Sequence, residues 1–184
     1  MKRKQTTLPG CYELFSDVHP DPRGVFVKTF HRPFFARWGL QTDFREEYYT
    51  VSHRGVLRGL HFQVPPHGHA KVVYCAAGRV LDALVDLRIG SPTYGRHALH
   101  ELSRERGNML YIPEGMAHGF LACSEEALVV YNVTSVHSPD HDSGIRWNSA
   151  GIPWPEDRPR LSKRDKGLTP LEDFASPFFY QGEA

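Results

Sequence analysis

The chain carries almost no net charge: 22 Lys and Arg stand against 21 Asp and Glu, a formal +1. That balance supplies no basic excess for general nucleic-acid binding or for adhesion to an acidic membrane surface, although a local cluster could still hold a small anion. Cysteine is scarce. Cys11, Cys75 and Cys123 are odd in number and lack paired spacing, so they read as reduced thiols, not as a disulfide framework. No apolar run reaches the roughly 18 residues that mark a membrane helix. The basic start MKRKQTTLPG has no apolar stretch behind it, which argues against a secretory leader and makes a cytoplasmic location the expectation. Internal repeats and low-complexity tracts are missing too. With 184 residues, one domain around one core is expected, covering 1–184.

What is present is punctuation. The 16 Gly and 14 Pro are spread along the chain and separate many short apolar or alternating runs. Strands are predicted over 24–30, 70–75, 80–87, 95–102, 108–112, 119–123 and 128–134. One short helix is predicted over 32–38, and a brief one near 162–166 within an irregular C-terminal segment, 145–184. Such a chain without βαβ alternation is all-β, and an antiparallel jelly roll of the cupin type with a few short helices is the expected fold.

Three stretches carry chemistry. In GVLRGLHFQ and the residues after it, Arg58, His61 and Lys71 lie close enough along a strand-turn-strand path to face one cavity. Arginine suits bidentate phosphate binding and lysine a point charge on an oxyanion. An isolated R-x-x-H is more often a solvated strand with scattered charges. The second stretch, Gly107 to His118, fits the cupin pattern G-x5-P-x-G-x2-H, in which Pro113 and Gly115 turn a corner and aim His118 into the barrel mouth. In the third, Asp165 sits beside Lys163 and Arg164, which alone would be a surface charge cluster.

Taken in order, D-x-R-G-x-F at 21–26, GVLRGLHFQ, Asp86-Leu87-Arg88, Gly90-Ser91-Pro92-Thr93, IPEGMAHGF, and Trp154-Pro155 with LSKRD resemble the dTDP-4-dehydrorhamnose 3,5-epimerase family from about residue 8 to 170. The resemblance implies a homodimer, with an N-terminal arm of about 1–45 exchanged between subunits, and no metal or redox cofactor. It implies a nucleotide-diphosphate 4-keto sugar as partner. His61 would be the base that takes a proton from the carbon next to the ketone, Asp165 its partner and Tyr131 the general acid. Lys71 and Arg58 would lie near the keto group and the pyrophosphate, and His118 would line the same pocket. Arg23 belongs to the first matching run, Phe26 would stack on the base, and Lys163 would add a cation beside the dyad.

The chemistry needs these residue types. A proton on carbon beside a ketone becomes removable when a fixed cation or donor stabilises the developing enolate oxygen. The base must be neutral to accept that proton, and a carboxylate can fix its tautomer. An acid on the opposite sugar face then returns a proton and inverts the centre. Because the C4 ketone activates both C3 and C5, one base can serve two positions.

Three stretches depart from the family pattern. Lys28 replaces a glutamate expected to accept from the thymine N–H; a donor there suits an acceptor such as cytosine N3, so a CDP-sugar is an alternative substrate. The bland alternative is that Lys28 pairs with Glu46 or Glu47. Glu46 and Tyr48 replace an amide pair, and His137 replaces a tyrosine, which leaves open epimerisation at a single carbon. A rival class is a metal-dependent cupin using His67, His69 and His118, although the carboxylate expected after the second His is missing. A catalytically silent sugar-nucleotide binder is a third class, and nothing in the sequence favours it.

Overall fold

A computed structural model describes residues 1–182. The first strands are short: β1 (Lys2–Gln5), β2 (Tyr12–Phe15), β3 (Val18–Asp21) and β4 (Gly24–Val27). After helix α1 (Arg32–Arg37) come β5 (Glu46–His53), β6 (Leu57–Gln63), β7 (Lys71–Ala77) and β8 (Arg79–Asp86). Then follow β9 (His97–Ser103), β10 (Asn108–Ile112), β11 (Met116–Ala122), β12 (Glu126–Val133) and β13 (Asp142–Gly144). The C-terminal segment is irregular apart from α2 (Lys163–Lys166) and a 3-10 turn at Leu171–Asp173.

The strands form two antiparallel sheets, β1-β2-β10-β7-β12-β5 and β13-β6-β11-β8-β9, with β3 and β4 as a separate hairpin. Their inner faces share one core: Val73, Leu110 and Val129 from the first sheet meet Leu84, Leu102 and Phe120 from the second. This is the jelly roll expected. Phe120 has no exposed surface, and truncating such a residue to alanine costs about 3–5 kcal/mol.

Strand β8 shows how period-2 alternation can be hidden. Val80 and Leu84 face the shared core, while Ala83 and Val85 face outward into a second cluster with Ile145, Ile152 and Phe178. The irregular C-terminal segment thus covers the outside of this sheet, so both faces of β8 are buried and read as nearly continuous apolar sequence. Helix α1 does the same for the other sheet, burying Phe35 against Leu14, Val72 and Met109. It begins with a proline in its first turn and stops before Gly39, whose φ is +69°.

Two expected boundaries shift for reasons of pairing. The strand expected over 24–30 ends at Val27, because its hairpin partner begins at Val18 opposite it. Phe30 instead packs edge-on against Phe35, with ring centroids 4.9 Å apart. The strand expected from residue 95 starts at His97, since the Gly95 N–H donates to Asp86 O in a turn. All four residues of β3 are exposed, as are all of β4 except Val27.

Candidate active site

A cavity of about 410 Å³ opens between the two sheets. Its floor is set where β6 meets β11, with His61 directly opposite His118. Two glycines make that crossing possible. A Cβ on Gly59 would lie 2.6 Å from the Gly119 Cα, and one on Gly119 would lie 2.6 Å from the Arg58 carbonyl oxygen. The register shifts between His118 and Phe120, a bulge of the kind that re-aims side chains beside active sites. Gly59 of GVLRGLHFQ and Gly119 of AHGF are therefore requirements of backbone approach.

His61 Nε2 lies 2.7 Å from Asp165 Oδ1. A carboxylate only accepts, so Nε2 carries the proton and Nδ1 keeps its lone pair. Asp165 comes from α2, where the Ser162 hydroxyl caps the helix by accepting from the Asp165 N–H at 3.0 Å. Burial works to raise the Asp165 carboxyl, but its bonds to His61, Gly59 N–H and Ser162 outweigh that and hold it below the usual range. Burial lowers the His61 imidazole below its ordinary value; Asp165 opposes the shift, while Arg164 and Lys71 reinforce it. The ring is thereby kept neutral and oriented.

Lys71 is buried, and its ammonium donates to the His61 carbonyl oxygen at 3.3 Å. Burial pulls it down to about 8, against the carboxylates of Asp142 and Asp82. Tyr131, on β12, is buried and its phenol is pushed well up by that burial. Arg58 is fixed by donating from Nε to the Ser52 hydroxyl at 2.9 Å and from Nη2 to the Val51 carbonyl at 3.2 Å. A base, a cation, a phenol and a guanidinium thus face one space.

Glu46, Tyr48, His118 and His137 also line the cavity, as the sequence predicts. Lys163 does not; Arg164 does, and it is held by an ion pair to Asp142 at 2.8 Å. The correction follows from helical phase: residue 163 lies about 200° around the helix from inward-facing Asp165, and 164 only about 100°. Arg23, Phe26 and Lys28 are also outside the cavity, on the β3–β4 hairpin and just past it. Arg23 is paired with Asp21 at 2.6 Å, Phe26 is 60% exposed, and Phe26 and Lys28 border a small hollow with Met1, Asp17 and His31. Among the described residues Lys28 has no ion pair with Glu46 or Glu47; the Glu46 carboxylate accepts the His137 N–H at 2.6 Å instead.

Sequence reasoning missed Asp82, Asp142 and Arg164. Asp82 Oδ2 lies 2.8 Å from His118 Nε2, both groups buried, and forms a second histidine–carboxylate pair. The available signal was a charged residue at an inward position of β8, two before Leu84. The metal alternative finds no ligand set. His118 is engaged by Asp82, His69 Nδ1 by Gln63 and Ser135, and the His67 ring lies against His141. Among the described residues no three His, Cys, Asp or Glu side chains are placed to hold a metal ion.

Fold and cavity together fit the class of jelly-roll sugar isomerases. The chain belongs to the dTDP-4-dehydrorhamnose 3,5-epimerase family, whose profile it matches over residues 5–173, and it is thus an isomerase of the epimerase type. It is 41% identical over 175 residues to the dTDP-4-dehydrorhamnose 3,5-epimerase of Methanothermobacter thermautotrophicus, covering 92% of this chain and 94% of that one. It is 37% identical over 169 residues to a dTDP-4-dehydrorhamnose 3-epimerase of Streptomyces niveus, covering 90% and 82%. Among solved structures, a dTDP-6-deoxy-D-glucose-3,5-epimerase from Legionella pneumophila in complex with dTDP-4-keto-L-rhamnose superposes with a TM-score of 0.93. Its identity is 30%, over 98% of this chain and 99% of that chain.

Proposed function

We propose that the chain epimerises C3, C5 or both in a nucleotide-linked 4-keto-6-deoxyhexose during deoxysugar biosynthesis. The observation that carries this is the His61–Asp165 pair at 2.7 Å, in one cavity with buried Lys71 and Tyr131. His61 Nδ1 takes the proton from the carbon beside the ketone. Lys71 holds the enolate oxygen, Asp165 stabilises the imidazolium, and Tyr131 returns a proton to the opposite face. Neutral imidazole and charged ammonium coexist here because burial lowers both groups yet leaves lysine the more basic. Arg58 and Arg164 bind the diphosphate.

The active form is a homodimer in which the partner's hairpin reaches this cavity. Support comes from the hairpin itself, which exposes Val25 and Phe26 and does not reach its own cavity. Phe26 then stacks on the base, with Arg23 and Lys28 beside it. Lys28, free of Glu46 and Glu47, keeps a CDP-sugar as the second reading. The reduced-thiol pattern and neutral charge fit a cytoplasmic enzyme.

The test is solvent deuterium wash-in on dTDP- and CDP-4-keto-6-deoxyglucose, read by NMR at C3 and C5. Exchange is expected with the wild type and is expected to vanish in His61→Asn. Full exchange in that variant would remove His61 as the base. A clear preference for dTDP in thermal-shift titration would end the cytosine reading.

A further inference from the structure

Glu46, Tyr48 and His137 form one wall of the cavity together with Tyr131. On the paired strands β5 and β12, Tyr48 stands directly opposite Tyr131, and Glu46 opposite Val133. Opposed residues of an antiparallel pair project from the same face. The Tyr48 and Tyr131 rings accordingly lie nearly parallel, with centroids 4.7 Å apart and planes inclined by 15°. Tyr131 also meets the His118 ring edge-on, at 5.9 Å and 70°. His118 is in turn fixed by Asp82. The Tyr131 ring is therefore held between a stacked face and an edge whose own position is set by a buried hydrogen bond. Glu46 completes the wall by gripping the His137 N–H, which pins the turn that follows β12.

We infer that Tyr48 is a positioning residue that fixes the Tyr131 ring, so that protons are returned preferentially to one of the two carbons flanking the ketone. The inference rests on Tyr131 being the proton donor proposed above. Serving both C3 and C5 requires either that the sugar re-pose or that the donor swing between two carbons. A ring free on one face can swing; one stacked along that face cannot without breaking the contact. Tyr48 is the outer member of the stack, 40% exposed where Tyr131 is 6% exposed.

Tyr48→Phe and Tyr48→Asn separate the stack from the hydroxyl. Wild-type, Tyr48→Phe, Tyr48→Asn and Tyr131→Phe proteins are incubated in D2O with dTDP- and CDP-4-keto-6-deoxyglucose, and deuterium at C3 and C5 is followed by NMR alongside kcat and KM. Unequal incorporation is expected for the wild type and for Tyr48→Phe. Tyr48→Asn is expected to level the C3:C5 ratio and to lower kcat by about tenfold, the scale of effect that small donor misplacements produce. Its KM should stay within about twofold, as for an interaction made only in the transition state. Equal wild-type incorporation, or a Tyr48→Asn protein of native melting temperature with unchanged ratio and kcat, overturns the positioning role. Absence of wild-type exchange at either carbon on both substrates overturns the epimerase reading itself, and with it the inference.

Discussion

In the cavity, His61, Lys71, Arg58 and His118 are each fixed by a partner from elsewhere in the chain. On the β3–β4 hairpin Arg23 pairs with Asp21, two residues away, and Phe26 and Val25 are exposed. The two regions divide the work. Proton-transfer groups must be held in place and kept dry, because their effect depends on fixed geometry and low dielectric. A nucleotide-binding arm gains nothing from being finished inside one subunit if a second copy completes the site. Chemistry should then survive damage to the hairpin, and binding should survive loss of the proton-transfer groups in the cavity.

His61→Asn gives the largest expected effect. It removes the proposed base while keeping a donor toward Asp165, and kcat should fall by about 10³-fold, within the range assigned to positioned general bases. KM should change little. A large rise in KM with kcat kept would place His61 in substrate binding and erase the contrast with the hairpin.

Phe26→Ala tests the other side. KM should rise about tenfold, the scale of losing one base–aromatic stack, while saturating kcat stays near wild type. If the hairpin acts in trans as proposed, specific activity should also fall on dilution below the dimer dissociation range. Activity independent of concentration down to proven monomer would break the exchanged-arm reading.

The pH profile sharpens the cavity side alone. His61 works when deprotonated and its pKa lies below the ordinary value of 6.5, so kcat/KM should hold as pH falls past 6.5 and drop only lower. Lys71 works when charged, so activity should decline as pH rises through about 8. Lys71→Arg should move that upper limb to higher pH, at reduced kcat, because a guanidinium stays charged. Phe26→Ala should leave both limbs where they are.

The same division governs what was legible in the sequence. Strands with an apolar interior face, such as β10 and β12, were read within a residue or two. Among the missed ones β1 and β3 are fully exposed, and β5 is an edge strand with a single buried residue, Ser52, whereas the largely buried β6 is read only as part of a strand-turn-strand path. They are set by pairing with distant partners, which local patterning does not encode. At the site, residues inside dense motifs were found: His61, Arg58, His118 and Asp165. Asp142 was not, because it enters through β13, a three-residue strand fixed only by its register with Gln63, Phe62 and His61.

Lys163 and Arg164 give the smallest and most local test of that lesson. The run LSKRD offers two cations beside Asp165, and sequence alone selects the first. In the structure Lys163 is exposed and outside the cavity, while Arg164 lines it and bonds Asp142 Oδ1 at 2.8 Å and the Ser143 carbonyl at 3.5 Å. Lys163→Ala should therefore leave kcat, KM and melting temperature unchanged, as for most surface substitutions. Arg164→Ala should raise KM several-fold by removing the charge proposed to bind the diphosphate, and should raise the lower pH limb slightly, since Arg164 helps depress His61. The upper limb should rise as well, because Arg164 also lowers Lys71. If Lys163→Ala raises KM and Arg164→Ala does not, α2 is rotated by about one residue from the arrangement described, and Asp165 could not then hold His61 as it does.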